Sequence, residues 1–236
     1  MDDFDKNNAL TVLGIETTCD ETAASVVSLD KNGISKLHSN IIHSQYEEHS
    51  EFGGIVPEVA ARSHLNNISF IVAKAIENSK NEINNIDAVA VSCGPGLIGG
   101  LLVGSLFGKA YALSRNIPFI PINHLEAHVL SPRLFEKIHF PYLALLVSGG
   151  HTQLLYVESL DKIKRLGTTL DDSVGEAFDK ASMILDLGWP GGKNIEIFGN
   201  IKKAFKLSFY NKVIADERPV LAEFYQRIFA DHLNLD

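Results

Sequence analysis

An α/β protein of two lobes with a cleft between them is what this sequence predicts, and three observations carry the prediction. Apolar runs of strand length alternate with runs of helical period. Two hairpins, Thr11 to Val27 and Leu143 to Val157, share one layout of apolar strand, small polar turn and apolar strand. Between them, Glu136-Lys137 and Pro141 mark a boundary. The first lobe then spans residues 10–137 and the second residues 138–236. A chain of 236 residues with 45% apolar content can bury a substantial core.

Each element has its own local reason. Thr11-Val-Leu-Gly-Ile15 is β-rich, the polar loop Glu16 to Thr22 interrupts it, and Ala23-Ala-Ser-Val-Val27 resumes it, which predicts a hairpin. Ile34 to Ile42 is a further strand candidate. Pro57 then opens a helix, since proline suits a first helical position, and Val59, Ala60, Ser63, His64, Asn67, Ile68, Ile71, Val72, Ala75 and Ile76 recur at helical spacing. Ile86 to Val91 reads as a buried strand running into Cys93-Gly-Pro-Gly-Leu-Ile-Gly-Gly100 and an apolar helix through Leu113. Ile117 to Ile122 is the next strand, His124 to Phe135 the next helix, and Phe140 to Val147 a strand. Thr152 to Val157 and Lys164 to Thr169 follow as strands, and Thr169-Leu-Asp-Asp-Ser173 leads into a helix that Asp171 and Asp172 are placed to cap. Gly188-Trp-Pro-Gly-Gly192 is a further glycine loop, or merely a helix stop after Leu187.

Composition excludes several classes. The acidic N-terminus is unlike a secretory leader, and no apolar run approaches the roughly 18 residues of a membrane span, so neither export nor membrane insertion is expected. Cys19 and Cys93 have no disulfide-framework or metal-motif spacing, which favours a reducing, cytoplasmic compartment, or the mitochondrial matrix if the protein is organellar. A net charge of −8 argues against a generally basic nucleic-acid face. Phosphate binding would have to come from local geometry.

The most informative pattern is His124-Leu-Glu-Ala-His128. Residues i and i+4 share one helix face, so two imidazoles can point at one ion; buried histidines satisfied by backbone carbonyls are the alternative. Glu126 lies off that face, unlike the Glu directly after the first His in a zinc-protease helix. Glu16, Asp20 and Glu21 crowd one short loop, which suits a shared cation or a solvated hairpin tip. Asp179, beyond the first turn of its helix, is available to ligand hydroxyls or a surface pairing. The glycine loops ending apolar strands are either tight turns or phosphate cradles.

Gly14-Ile-Glu-Thr-Thr-Cys-Asp-Glu-Thr22, Gly54-Ile-Val-Pro-Glu58, Gly94-Pro-Gly-Leu97, His124-Leu-Glu-Ala-His128, Leu146-Val-Ser-Gly-Gly-His-Thr-Gln153, Gly175-Glu-Ala-Phe-Asp-Lys180 and Pro190-Gly-Gly192 together resemble the threonylcarbamoyl transferase family known as TsaD, formerly called O-sialoglycoprotein endopeptidases. The resemblance covers roughly residues 10 to 196. It implies the two-lobed actin-like fold shared by actin, sugar kinases and heat-shock chaperones (ASKHA, RNase H-like), with the second lobe incomplete. The implied reaction is transfer of the threonylcarbamoyl group from threonylcarbamoyl-AMP to N6 of the tRNA adenosine beside the anticodon, in tRNAs reading codons that begin with A.

By the same resemblance, His124 and His128 are ligands of one divalent metal ion, iron or zinc. Asp20 and Glu21 are acidic residues needed for activity. Leu146, Val147, Ser148, Gly149 and Gly150 hold the carboxylate and phosphate end of the ligand, Asp179 and Gly192 hold the nucleoside, and Glu196 matches an Asn-Ile-Glu extension found in some members. The implied partners are tRNA and TsaB-like and TsaE-like proteins, with no membrane. Beyond Glu196 agreement decays: Leu207-Ser-Phe209 and Ala222 to Leu233 echo later segments faintly, and the family's Asp that completes the metal site is missing, so a C-terminal truncation is expected. Two other readings stand beside the transferase, a metallopeptidase and a non-catalytic interaction module.

Overall fold

The computed structural model describes residues 10–30, 34–80, 85–134 and 137–204, with side chains to residue 199. The Leu207–Phe209 and Ala222–Leu233 stretches and Phe135 and Glu136 lie outside the described residues. The chain separates into two compact units, Met1–Tyr142 with Glu158–Ile163, and Leu143–Val157 with Lys164–Asp236.

The first unit is built on five strands, β1 (Leu10–Glu16), β2 (Glu21–Leu29), β3 (Ser35–Ser44), β4 (Ala88–Gly94) and β5 (Phe119–Asn123), in the order β3-β2-β1-β4-β5. β1 and β2 form the expected hairpin, with Val12 opposite Val27, and β3 extends it antiparallel. β4 and β5 add on parallel, β1 pairing Gly14 with Ala90 and β4 pairing Ser92 with Ile122. A mixed sheet in this order, a three-stranded meander continued by two parallel strands on helical crossovers, is the α/β lobe that the sequence predicted.

The helices of this unit are α1 (Tyr46–Ser50), α2 (Pro57–Ser79), α3 (Ile98–Arg115) and α4 (His124–Leu130), which a single 3₁₀ turn continues to Leu134. α2 starts on Pro57 at its first turn and buries Ala60, Ser63, His64, Ile68, Ile71, Val72 and Ala75, as their spacing required. It packs on β2 and β3, while α3 packs on β4 and on α2. Their shared core holds Leu13, Ile15, Val26, Ile68, Val72, Val89 and Val91, each at most 5% exposed. Burying one such side chain stabilises the fold by about 1.5–3 kcal/mol. α3 lies close because it carries glycines where side chains would collide: a Cβ on Gly108 would sit 2.4 Å from Val91. It ends on Asn116 in the left-handed conformation, φ 53°.

The second unit has a three-stranded sheet, β6 (Tyr142–Val147), β7 (Thr152–Ser159) and β8 (Lys162–Thr168), in sequential order, with helices α5 (Val174–Ile184) and α6 (Gly191–Ala204) packed together. Two local expectations are corrected here. Ser173, not Asp171 or Asp172, caps α5, its hydroxyl accepting from the Glu176 amide at 3.2 Å, while Asp172 pairs with Lys180 at 2.7 Å. The Gly188–Gly192 segment is more than a stop, because Gly191 and Gly192 open α6. Among the described residues no helix is long and apolar enough to cross a membrane.

Candidate active site

In the first unit the site is assembled by the strand ends. β5 leads directly into α4, and Asn123 caps the junction, its side-chain oxygen accepting from the Leu125 and Glu126 amides. That cap fixes the first turn and with it His124. The ring of His128, one turn later, places its Nε2 3.1 Å from Nε2 of His124, with the rings at 81°. Two imidazoles on one ion with bonds of about 2.0–2.1 Å are separated by roughly 2.9–3.4 Å, so the pair has the spacing of two adjacent ligands. Glu126 is exposed on another face, as its place in the sequence required.

Glu16, the last residue of β1, braces the pair. Its Oε2 lies 3.0 Å from Nδ1 of His124, and the Thr18 hydroxyl lies 3.1 Å from the same nitrogen. A carboxylate can only accept, so Nδ1 carries a proton, and whenever the ring holds only that one its Nε2 lone pair faces His128. This carboxylate behind a histidine is the arrangement that orients a metal ligand. Burial alone would raise the Glu16 pKa. Hydrogen bonds from His124, Ser92 and Thr18 outweigh it and hold the carboxyl at about 2. The donor set therefore fits a divalent ion at the histidine pair, although no three His, Cys, Asp or Glu side chains form a metal cluster among the described residues.

Asp20 and Glu21 stand in the turn between β1 and β2, Asp20 half-buried and Glu21 exposed at the head of its strand. Burial, then the charges of Asp20 and Glu16, push the Glu21 carboxyl up, against the pull of His124. The same loop pushes the Cys19 thiol up to about 12, through burial first and then Asp20, Glu21 and Glu16. Neither cysteine is in a disulfide.

Behind the acidic loop the Gly94–Gly100 segment serves packing. The Leu97 amide donates to the Thr18 carbonyl at 2.8 Å, and Thr17 donates to the Gly100 carbonyl at 2.9 Å. A Cβ on Gly96 would meet Thr18 at 2.7 Å and one on Gly100 the Thr17 carbonyl at 2.1 Å. These glycines admit the neighbouring backbone.

In the second unit, Ser148–His151 is a tight turn in which the Ser148 amide donates to the His151 carbonyl at 2.8 Å and the His151 amide donates to the Ser148 hydroxyl at 3.0 Å. Leu146 is buried and anchors β6, Val147 is exposed, and Gly149 and Gly150 have open space where a Cβ would stand. Ser173 ties the turn to α5 by donating to the Gly149 carbonyl. Gly175, by contrast, is small because Ser148 and Gly149 press on it. Asp179 accepts from the Gly191 amide at 2.6 Å and from the Trp189 indole at 3.3 Å, so its carboxylate sets the entry to α6. Gly192 beside it is open, and Glu196 is exposed on α6. The structure thus gathers Asp20, Glu21, His124 and His128 in one unit, and Leu146–Gly150, Asp179, Gly192 and Glu196 in the other.

Sequence reasoning placed Glu16 only among the crowded acidic residues suited to a shared cation and gave Thr18 no site role, because their partner His124 is about a hundred residues away along the chain. The sequence signal for Glu16 was its crowding with Asp20 and Glu21 in one loop between buried strands, which pointed to a cation but not to His124.

With this geometry in place, comparison with known proteins is decisive for the family. A relative from Pelagibacter ubique named tRNA N6-adenosine threonylcarbamoyltransferase is 52% identical over 187 residues, 79% of this chain and 52% of its own length. One of the same name from Rhizobium johnstonii is 46% identical over 209 residues, 89% of this chain and 57% of its own. The chain spans about half the length of the curated relatives it matches. Among solved structures it is similar to YeaZ from Pseudomonas aeruginosa, with 14% identity and a TM-score of 0.42 over 67% of this chain and 65% of that one. The family model described as TsaD, tRNA N6-adenosine threonylcarbamoyltransferase, matches residues 36–233, and the chain belongs to that family.

Proposed function

We propose that the chain acts in transfer of a threonylcarbamoyl group from threonylcarbamoyl-AMP to N6 of the adenosine beside the anticodon of tRNA. The observation that carries this reading is the braced pair, His124 and His128 with Nε2 atoms 3.1 Å apart and Glu16 fixing the tautomer. His124 and His128 would hold a divalent ion, iron or zinc, which when bound supplies Lewis-acid polarisation of the acyl carbamate or its phosphate.

The chain's own residues do the rest. Glu21, with its carboxyl pushed upward by burial and its acidic neighbours, takes the proton that the adenosine N6 loses as the N6–carbamoyl carbon bond forms and the bond from that carbon to the phosphate oxygen breaks, AMP leaving. Open backbone at Gly149 and Gly150 lets the anionic end of the acyl-adenylate approach the Ser148 turn, and open backbone at Gly192 admits the nucleoside next to the Asp179 anchor. The adenosine amine is a weak nucleophile, so much of the rate must come from holding it in place.

Partners belong to the same reading. α3 exposes Ile98, Leu102, Leu106 and Leu113 on its outer surface, at 52–84% exposure, an apolar stripe suited to a helix of a TsaB-like protein. A TsaE-like protein and the tRNA would add surface that this acidic chain does not supply.

The test is transfer of radiolabelled threonylcarbamoyl from its adenylate to unmodified tRNA, with zinc or iron and the partner proteins present. Label on the tRNA with the native chain, and none with His124→Ala, is the expected result. Equal label with and without the histidine would overturn the reading.

A further inference from the structure

Beneath the acidic loop lies a cluster that the proposed chemistry does not use. Thr17, Thr18, Thr22, Gln45, His49 and His64 are each no more than 1% exposed, in a protein whose other fully buried side chains are largely aliphatic. Polar side chains at this depth cost stability unless every donor and acceptor is met, and an apolar core would avoid that risk.

Here every hydrogen-bond role follows from its neighbours. The Cys19 carbonyl, 3.1 Å from His64 Nε2, can only accept, so Nε2 carries the proton. The Thr22 hydroxyl at 2.8 Å and the side-chain amide nitrogen of Gln45 at 3.1 Å then share the one lone pair of Nδ1. That orients Gln45 so that its oxygen accepts from His49 Nε2 at 3.2 Å, and His49 Nδ1 accepts from the Val56 amide at 3.3 Å. One arrangement of protons satisfies both histidines and the glutamine, with no net charge.

One side chain of the cluster, His64, reaches the loop backbone, at the Cys19 carbonyl 3.1 Å away. The carbonyls on either side are held by main-chain amides, Thr18 accepting from Leu97 N at 2.8 Å and Asp20 from Gln45 N at 3.0 Å. Three consecutive carbonyls are drawn inward, which sets the direction of the Asp20 and Glu21 side chains that follow. Loop residues carrying function are ordinarily the mobile ones, and this one is tied at each peptide.

We propose that His64 is a positioning residue: through the Cys19 carbonyl, and backed by Thr22 and Gln45, it holds the Asp20–Glu21 turn in working register. This rests on the transferase reading only in taking Asp20 and Glu21 as the working carboxylates.

Cys19 is itself the reporter, because its thiol sits in the anchored turn. Iodoacetamide labelling of the folded chain, followed peptide by peptide with Cys93 as internal reference, is expected to be slow at Cys19. His64→Leu should speed Cys19 labelling tenfold or more and leave Cys93 unchanged, and His64→Gln, whose amide can still donate to the carbonyl, should return most of the protection. A His64→Leu chain that melts cooperatively and labels Cys19 at the native rate overturns the proposal. Should that chain lack a cooperative melt, Thr22→Val decides instead, with a threefold or greater acceleration supporting the anchor and a native rate overturning it. In the transfer assay, His64→Leu should lower kcat at least tenfold with KM for the acyl-adenylate unchanged; a raised KM at unchanged kcat would overturn the link to the carboxylates. A native chain that transfers nothing counts against the transferase reading, while the labelling rates still decide the anchor.

Discussion

Glu16 shows what one residue contributes when its partner is remote in sequence. Its carboxylate touches His124 at 3.0 Å and fixes which nitrogen of that ring is bare. Groups that orient a metal ligand in this way are worth about 10–100-fold in metal affinity. Glu16→Gln should therefore weaken zinc binding by about that factor, measured by competition with a chromophoric chelator. An unchanged affinity would show that His124 is oriented by Thr18 alone. Cys19 yields a second test. Burial and the neighbouring carboxylates push its folded pKa up to about 12, above the ordinary thiol value of 9.0. A raised pKa means the contribution to stability is complete below 9.0 and declines as pH climbs toward about 12, because only the unfolded thiol ionises in that window. Cys19→Ser removes this titration, so its stability should fall less steeply above pH 9 than that of the native chain, as denaturant melts along an alkaline series would show. The histidine pair was legible in the sequence because i,i+4 spacing is a local property. The brace was not, since Glu16 and His124 meet only through the pairing of β1 with β4 and of β4 with β5.

Elements differ in how openly the sequence declares them. α2 announced itself through Pro57 and a helical period, and the strands β1 to β5 through apolar runs bounded by turns. α6 stayed hidden because Gly191-Gly192 after Pro190 reads as a break, and what turns that break into a helix start is Asp179 accepting from the Gly191 amide. Glycines posed the same difficulty, since sequence cannot separate those that admit a neighbour from those that leave room for a ligand. The structure separates them, and the two kinds should respond differently to the same substitution. Gly100→Ala drives a Cβ to 2.1 Å from the Thr17 carbonyl and must push α3 from the acidic loop. Overpacking of this kind costs about 1–3 kcal/mol. Gly149→Ala meets nothing within 4 Å and its φ is not in the left-handed range, so stability should change by less than about 0.5 kcal/mol. Paired denaturant melts check both, and equal effects would refute the distinction.

At the scale of the molecule, the two units are held with unequal strength. The first buries a continuous core between its five-stranded sheet and α2 and α3, with Leu13, Val26, Ala75 and Val89 fully excluded from water. The second keeps Leu143, Leu145 and Val147 of β6 at 63%, 50% and 46% exposure, so one face of its sheet is wet apolar surface. A three-stranded sheet is near the lower limit for independent stability and needs a covered face to exceed it. Local opening free energies follow buried apolar contact, and amide exchange reads them strand by strand. Native-state hydrogen exchange should accordingly show β6, β7 and β8 opening well before β1 and β4, with rates differing by at least tenfold. Leu145→Lys, which places a charge on the exposed face without touching a buried contact, should leave that order intact and reduce concentration-dependent association seen by light scattering. Exchange at one common rate in both sheets would mean that the units open together, and the inequality of their cores would then have no energetic consequence.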